Sequence, residues 1–496
     1  MPSTSVYLAI DLGATSGRVM AGVFDGDSIQ LHEINRFPSS CIEAGGSVRW
    51  DAKDIFNQVL KGLKKAQELY GSSICGVGVD TWGVDYGLLD TDGELLGNPF
   101  SYRDPRTDGM EARIQKLVPR ETIYSETGIQ FIFLNSLNQI FAEKESGRGI
   151  LDTASDLLFM PDLVNFWLSG KKVQERSIAS TSQLLNPVTG RWSDVLLSEL
   201  GLPKHLFGNI TEPGTRSGNL LPEIQEQTGL GDVSVYTVAG HDTGSAVAGT
   251  PLKSEAPAFL SSGTWSLMGI ELPSPLINAE TRAAGYSNEA GVEGTTRLLK
   301  NICGMWLIEQ LRDEWSAEGN ELGYEELVDL AHGSEPFRSI IDPDHPSFAR
   351  SGPMAKRISS YCQVHGQPIP DTQSRLLRTV FDSLACKYRV VFDQLASFIS
   401  KPLTELCVVG GGSKNHFLNQ CIASSLNCQV NAGPIEAASL GNVLMQMRGA
   451  GQIDSLEAGR ELIKQSFSVD TYLPENPEAW LEPVERLKSM ITKDSD

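Results

Sequence analysis

Short apolar runs broken by glycine-rich turns alternate along this chain with segments of helical periodicity. Val6-Tyr7-Leu8-Ala9-Ile10 predicts a buried strand, Asp11 to Gly17 a tight turn, and Val19 to Phe24 a returning strand closed at Gly26-Asp27. Asp51 then caps a predicted helix in which Ile55, Val59, Leu63 and Ala66 recur at helical spacing as far as Gly71. The strand Ile74 to Val79 follows and ends at Asp80-Thr81-Trp82-Gly83.

The opening unit recurs in the second half as Ala258-Phe259-Leu260-Ser261-Ser262-Gly263-Thr264-Trp265-Ser266-Leu267-Met268-Gly269. Both copies set hydroxyl and glycine residues in a turn between apolar strands. A duplicated domain with a ligand cleft between the halves is the economical explanation. The polar, proline-containing stretch Gly249 to Pro257 is the expected seam. Beyond it, Leu376 to Phe398 predicts a long amphipathic helix, Leu406 to Val409 a strand, Gly410-Gly411-Gly412 a loop, and Asn415 the start of another helix. Strands alternating with helices make the chain α/β. The predicted division is residues 1–249, residues 258–450, and a helical extension at 451–496.

At 496 residues and 40% apolar composition, two large domains can each bury a core. With 62 acidic against 41 basic residues, the net charge of −21 repels a phosphate backbone and argues against a nucleic-acid partner. A nucleotide is still admissible, because oriented backbone N–H groups hold phosphates locally. The apolar stretch Leu157 to Leu168 is short and broken by Pro161 and Asp162, so no membrane partner is expected. No signal-like segment opens the sequence, and the expectation is a cytoplasmic protein. Its eight cysteines are scattered without a C-x-x-C pair and read as free thiols.

Three loops are candidates for phosphate or nucleotide binding. In Asp11-Leu12-Gly13-Ala14-Thr15-Ser16-Gly17-Arg18 the glycines allow close backbone approach, Thr15 and Ser16 add donors, and Arg18 offers a charged fork. Neither the G-x-x-x-x-G-K-[ST] nor the G-x-G-x-x-G pattern occurs there. Its partner is Ser261 to Ser266, and the third loop is Val409 to Asn415. An ordinary hairpin turn is the competing account of each. Asp11, at a strand end, is the candidate Mg²⁺ ligand, acting through water.

Asp242 lies just beyond the predicted strand Val233 to Ala239 and near the start of the helical stretch Ser245 to Ala248. A carboxylate there should stay ionised, which suits a general base, and a helix cap without chemistry is the alternative. Asp80 to Asp85 and Tyr102-Arg103-Asp104 supply an aromatic wall and polar groups of the kind a polyol site needs, although Trp82 fits a core equally well. Lys300-Asn301 adds polar groups from the second half.

Together these segments, with Thr127-Gly128-Ile129-Gln130-Phe131 and Leu299-Lys300-Asn301-Ile302, resemble the FGGY carbohydrate kinases over nearly the whole chain. The resemblance implies two ribonuclease H-like, actin-related domains closing over MgATP and a ketose. It implies transfer of the γ-phosphate to the 1-hydroxyl of L-rhamnulose, with Asp242 as base. By the same resemblance Ala14, Thr15, Ser16, Gly17, Arg18, Thr264 and Gly411 contact ATP, and Gly83, His241, Asp242, Thr243 and Asn301 contact the sugar. The family's glutamine contact to the nucleotide falls at Glu309, which Gln310 follows, so this position departs from the pattern. The partners expected are the ketose and ATP, for a monomer or homodimer. Rival readings are a family member acting on L-fuculose, xylulose or glycerol, an actin- or chaperone-like ATPase, and a sugar-binding regulator without turnover.

Overall fold

The computed structural model describes residues 4–252 and 258–495. The expected seam at Gly249 to Pro257 therefore lies partly outside the described residues, at 253–257. The chain folds into two compact units, each assembled from separate stretches. Met1–Pro251, Glu271–Leu298 and Ala437–Phe467 form the first, and Leu252–Ile270, Leu299–Glu436 and Ser468–Asp496 the second.

The first unit is built on a six-stranded sheet in the order Thr215–Asn219, Ser234–Thr237, Ile74–Thr81, Ser5–Leu12, Ser16–Phe24, Ile29–Pro38. Ser5–Leu12 and Ser16–Phe24 form the predicted antiparallel hairpin, longer at its turn end than the apolar runs alone indicate, with Asp11 opposite Arg18. Ile74–Thr81 runs parallel beside it and sets Asp80 opposite Asp11. Ser234–Thr237 adds a second parallel neighbour, and Thr215–Asn219 closes that edge antiparallel.

Side chains alternate across a strand, so each apolar run has two destinations. Val6, Leu8 and Ile10 pack with Ile55, Val59 and Leu63 of the helix Ala52–Tyr70. Each such fully buried aliphatic chain contributes roughly 1.5–3 kcal/mol. The predicted cap holds, since Asp51 Oδ1 accepts from the Asp54 N–H at 3.1 Å. Tyr7 and Ala9 point to the opposite face, where Leu440, Val443 and Leu444 of the helix Ala437–Gly449 cover them. Asp11 continues that second alternation, which is why a carboxylate at the strand end meets this helix.

A second, seven-stranded sheet runs in the order Ser287–Ala290, Thr296–Cys303, Trp265–Leu272, Ala258–Ser262, Glu405–Val409, Gln429–Ala432, Asp470–Tyr472. The hairpin Ala258–Ser262 with Trp265–Leu272 is antiparallel, the next two strands are parallel, and the edge strand is antiparallel. The six strands from Thr296–Cys303 to Asp470–Tyr472 repeat the order of the first sheet, with Ser287–Ala290 added at one edge, so the duplication visible in two turns extends through both sheets. The long helix Gln373–Phe398 buries Leu377, Val380, Leu384, Val391 and Leu395 as its periodicity predicts. None of the eight cysteines, all among the described residues, is joined in a disulfide. Among the described residues no helix is long and apolar enough to cross a membrane.

Candidate active site

Asp242 is the first residue of the helix Asp242–Ala248, and His241 precedes it at the cap position. The turn leading in is fixed from three sides. The Thr81 N–H donates to the Gly240 carbonyl at 2.8 Å, the Gly240 N–H to Glu175 Oε2 at 2.9 Å, and the His241 N–H to Ser177 Oγ at 3.2 Å. The helix then meets Ala437–Gly449 at backbone distance. A Cβ on Gly249 would stand 2.1 Å from the Ala437 carbonyl oxygen, so only glycine permits the approach.

From that second helix three side chains spaced by three and four residues reach the strands. Ser439 Oγ donates to Asp11 Oδ2 at 3.0 Å, Asn442 Nδ2 to Asp80 Oδ2 at 2.6 Å, and Gln446 Nε2 to the Leu8 carbonyl at 2.9 Å. Arg18 adds two bonds to Asp11 Oδ2, at 3.0 Å from Nε and 2.7 Å from Nη2. The fork expected to meet a phosphate is thus seated on the residue expected to hold the metal.

Three carboxylates gather at these strand ends, and their acidities reflect it. Burial, then the Asp11 charge, push Asp80 well above the usual carboxylate range against the Asn442 hydrogen bond. Burial also raises Asp242; His241 opposes the shift and Asp11 adds to it. Desolvation therefore outweighs the helix N-terminus that was expected to keep Asp242 at ordinary acidity. A third of the Asp242 side chain, 33%, still reaches solvent. Asp80 Oδ1 is buried without a hydrogen-bond partner among the described residues.

His241 Nε2 stands 3.3 Å from Asp242 Oδ1, and its Nδ1 stands 3.1 Å from Glu289 Oε2. Arg297 Nη2 lies 3.1 Å from the same Glu289 oxygen. Burial alone would raise Glu289, but His241 and Arg297 together hold it below the usual carboxylate range. Thr243 turns onto its neighbour, its N–H donating to Asp242 Oδ1 at 2.5 Å. A Cβ on Gly83 would lie 3.4 Å from His241 Nε2, so Gly83 borders this group directly.

In the first predicted phosphate turn, the Gly13 N–H donates to the Ser16 carbonyl at 3.1 Å, and Ser39 Oγ to the Gly13 carbonyl at 2.6 Å. Thr15 is exposed at its tip, with Ala14 and Ser16 partly so. Gly17 is buried where a Cβ would come within 2.5 Å of the Phe37 ring.

Trp82 and Tyr102 do not form a wall for a sugar. Trp82 is 4% exposed and donates from Nε1 to Asp85 Oδ2 at 3.0 Å. Trp50 Nε1 reaches the same oxygen at 2.7 Å, the Tyr102 N–H at 3.1 Å, and Gln139 Nε2 takes the other oxygen at 2.8 Å. Burial pushes Asp85 up to about 6 even against these four donors. The cluster supports Val84, whose φ of 69° is a costly backbone for a β-branched residue, of order 1–3 kcal/mol. Thr181 Oγ1 and Ser136 Oγ hold that peptide, bonding the Val84 N–H at 3.1 Å and its carbonyl at 2.5 Å.

In the second unit, Thr264 and Glu309 come together, with Thr264 Oγ1 donating to Glu309 Oε1 at 3.1 Å. Glu309 lies in the first turn of the helix Trp306–Ala317, where a negative charge is favoured. Gly410 adopts a φ of 82°, and a Cβ on Gly412 would lie 2.0 Å from Ser262 Oγ, so the glycine loop packs on the serine hairpin. Gly411 faces open space, where an added Cβ would meet none of the described residues within 4 Å. Asn301 sits on Thr296–Cys303 beside Lys300, which burial and the Lys387 charge lower to about 8.

Sequence reasoning did not single out Glu289, Arg297, Ser439 or Asn442. The first two carried little signal, since they stand among the polar residues Ser287, Asn288, Glu293, Thr295 and Thr296. Ser439 and Asn442 carried none, because their partners lie 428 and 362 residues away.

Models of the FGGY family of carbohydrate kinases match the chain almost throughout, the N-terminal domain over residues 6–249 and the C-terminal domain over 258–450. A rhamnulokinase of Bacteroides thetaiotaomicron is 45% identical over 474 residues, covering 96% of this chain and 97% of its own. Rhamnulokinases of Oceanobacillus iheyensis and Bacillus subtilis are 39% and 37% identical, over 94% and 95% of this chain and 97% and 96% of theirs. A ligand-bound xylulose kinase from Lactobacillus acidophilus superposes with a TM-score of 0.81 at 17% identity, covering 99% of this chain and 98% of that one. Plasmodium falciparum glycerol kinase with ADP gives 0.77 at 16% identity, with 99% and 98% covered. These last two share the two-domain fold.

Proposed function

This chain belongs to the FGGY family of carbohydrate kinases, and from that premise we propose that it transfers the γ-phosphate of ATP to the 1-hydroxyl of L-rhamnulose. The product is L-rhamnulose 1-phosphate, formed in the cytoplasm as a step of L-rhamnose breakdown. The observation that carries the reading is Asp242, partly open to solvent, raised in pKa, and flanked by His241 and Gly83. Rhamnulokinases that match end to end support the choice of sugar.

Asp242 accepts the proton of the attacking hydroxyl. Phosphoryl transfer passes through a loose transition state, so the hydroxyl needs orientation first and deprotonation late. A raised carboxylate suits that task better than an ordinary one, since its proton affinity is closer to what late transfer demands. His241, Thr243, Gly83 and Asn301 contact the sugar. Ala14, Thr15, Ser16, Gly17, Arg18, Thr264, Glu309 and Gly411 are the proposed ATP contacts.

The carboxylates fit a magnesium ion: Asp11 and Asp242 raise Asp80, and its Oδ1 lacks a partner among the described residues. Asp11 would hold the ion, largely through water. Among the described residues no three His, Cys, Asp or Glu side chains form a metal cage, and Mg²⁺ bound through water and phosphates needs none. When bound, it neutralises charge on the β- and γ-phosphates.

The test is kcat/KM of the purified protein with MgATP against L-rhamnulose, L-fuculose, D-xylulose and glycerol. L-rhamnulose should lead the panel. A higher value for any other substrate would overturn the assignment of the sugar, and sugar-independent ATP hydrolysis alone would overturn the kinase.

A further inference from the structure

Buried ions are costly unless they are paired, and a pair of apolar residues serves a core at least as well. Arg297 is 0% exposed and Glu289 4%, so this pair calls for a purpose beyond packing. Arg297 cannot swing away, because its Nε and Nη2 donate to the Ala290 carbonyl at 3.2 and 3.1 Å. Gly244 shapes the neighbouring wall, where a Cβ would lie 3.4 Å from Arg297 Nη2.

Beyond those bonds, both members of the pair reach one edge of one ring. Glu289 Oε2 is 3.1 Å from His241 Nδ1, and Arg297 Nη2 is 3.4 Å from the same nitrogen. The peptide N–H of His241 is already committed to Ser177 Oγ. With backbone and Nδ1 edge both held, Nε2 has one place to be, beside Asp242 Oδ1 and the bare backbone of Gly83. The absent Gly83 side chain leaves room there for a hydroxyl.

We infer that Glu289 and Arg297 are positioning residues for the sugar, holding His241 so that its Nε2 meets a ketose hydroxyl next to Asp242. The inference rests on the sugar-kinase reading above. Neither residue touches substrate; both act through His241. A residue that acts only through another contributes nothing once that other is gone, which a double-mutant cycle detects.

The experiment measures kcat, KM for L-rhamnulose and KM for ATP in wild type, Glu289→Gln, His241→Ala and the double variant. Glu289→Gln should raise the ketose KM at least ~10-fold and leave the ATP KM within ~2-fold. In the His241→Ala background the same change should alter kcat/KM by less than ~2-fold. If Glu289→Gln does not fold, Glu289→Leu with Arg297→Met removes both charges together and is read the same way. An unchanged ketose KM, or losses that add in the double variant, would overturn the inference. A wild type that phosphorylates no ketose removes the functional reading and this inference with it. An active wild type showing additive losses removes this inference alone.

Discussion

A Cβ on Gly441 would stand 1.8 Å from the Ser245 carbonyl oxygen, so the helix that begins with Asp242 and the helix that carries Ser439 and Asn442 touch backbone to backbone. That contact sets the height of the proposed base against the strand ends bearing Asp11 and Asp80. Gly441→Ala must push the helices apart and should cost about 1–3 kcal/mol. A lower thermal midpoint together with a reduced kcat is the expected result. A variant as stable and as active as wild type would show that the contact can relax freely.

Gly83 separates folding from recognition. An added methyl would meet His241 Nε2 and Thr181 at 3.4 Å, an ordinary contact distance. Stability of Gly83→Ala should therefore stay within about 0.5 kcal/mol of wild type. The methyl takes the space proposed for a sugar hydroxyl, so the ketose KM should rise about 10-fold or more. Calorimetry and steady-state kinetics on the same preparation check both.

Glu309 accepts from Thr264 Oγ1, and a glutamine oxygen can do the same without the charge. Glu309→Gln should lower the ATP KM by roughly 2- to 5-fold with kcat little changed, since a carboxylate near a polyphosphate costs binding. A raised ATP KM would mean that the carboxylate itself is used.

The pH profile carries a sign. A carboxylate works as a base only when ionised, and burial raises Asp242, the proposed base, above the usual aspartate value of 3.8. As pH falls, kcat/KM for the ketose should decline at a pH above that value, through the group's own raised pKa. A profile flat down to 3.8 would show an unperturbed carboxylate or a different base.

Much of this was legible in the chain. The apolar run Val6 to Ile10, its glycine turn and its later echo at Ala258 to Gly269 located both hairpins, because alternating burial and tight turns are local properties. The same patterns could not decide about Trp82. Its indole N–H is satisfied by Asp85, three residues on, while the other donors to that carboxylate come from Trp50, Tyr102 and Gln139. Nor could spacing reveal that Arg18 would bind Asp11, or that Ser439 and Asn442 would return from the far end of the chain to the same carboxylates. Those contacts depend on sheet order and helix packing, which emerge only once the chain is folded. Asp242 itself was placed correctly at a helix start, but its raised proton affinity depends on burial and on Asp11.

The most direct test is sugar-phosphate formation from L-rhamnulose and MgATP by Asp242→Asn beside wild type, with ATP binding measured on both. Loss of transfer by at least ~10²-fold with ATP binding retained is the predicted result. Transfer within ~10-fold of wild type would contradict Asp242 as the base.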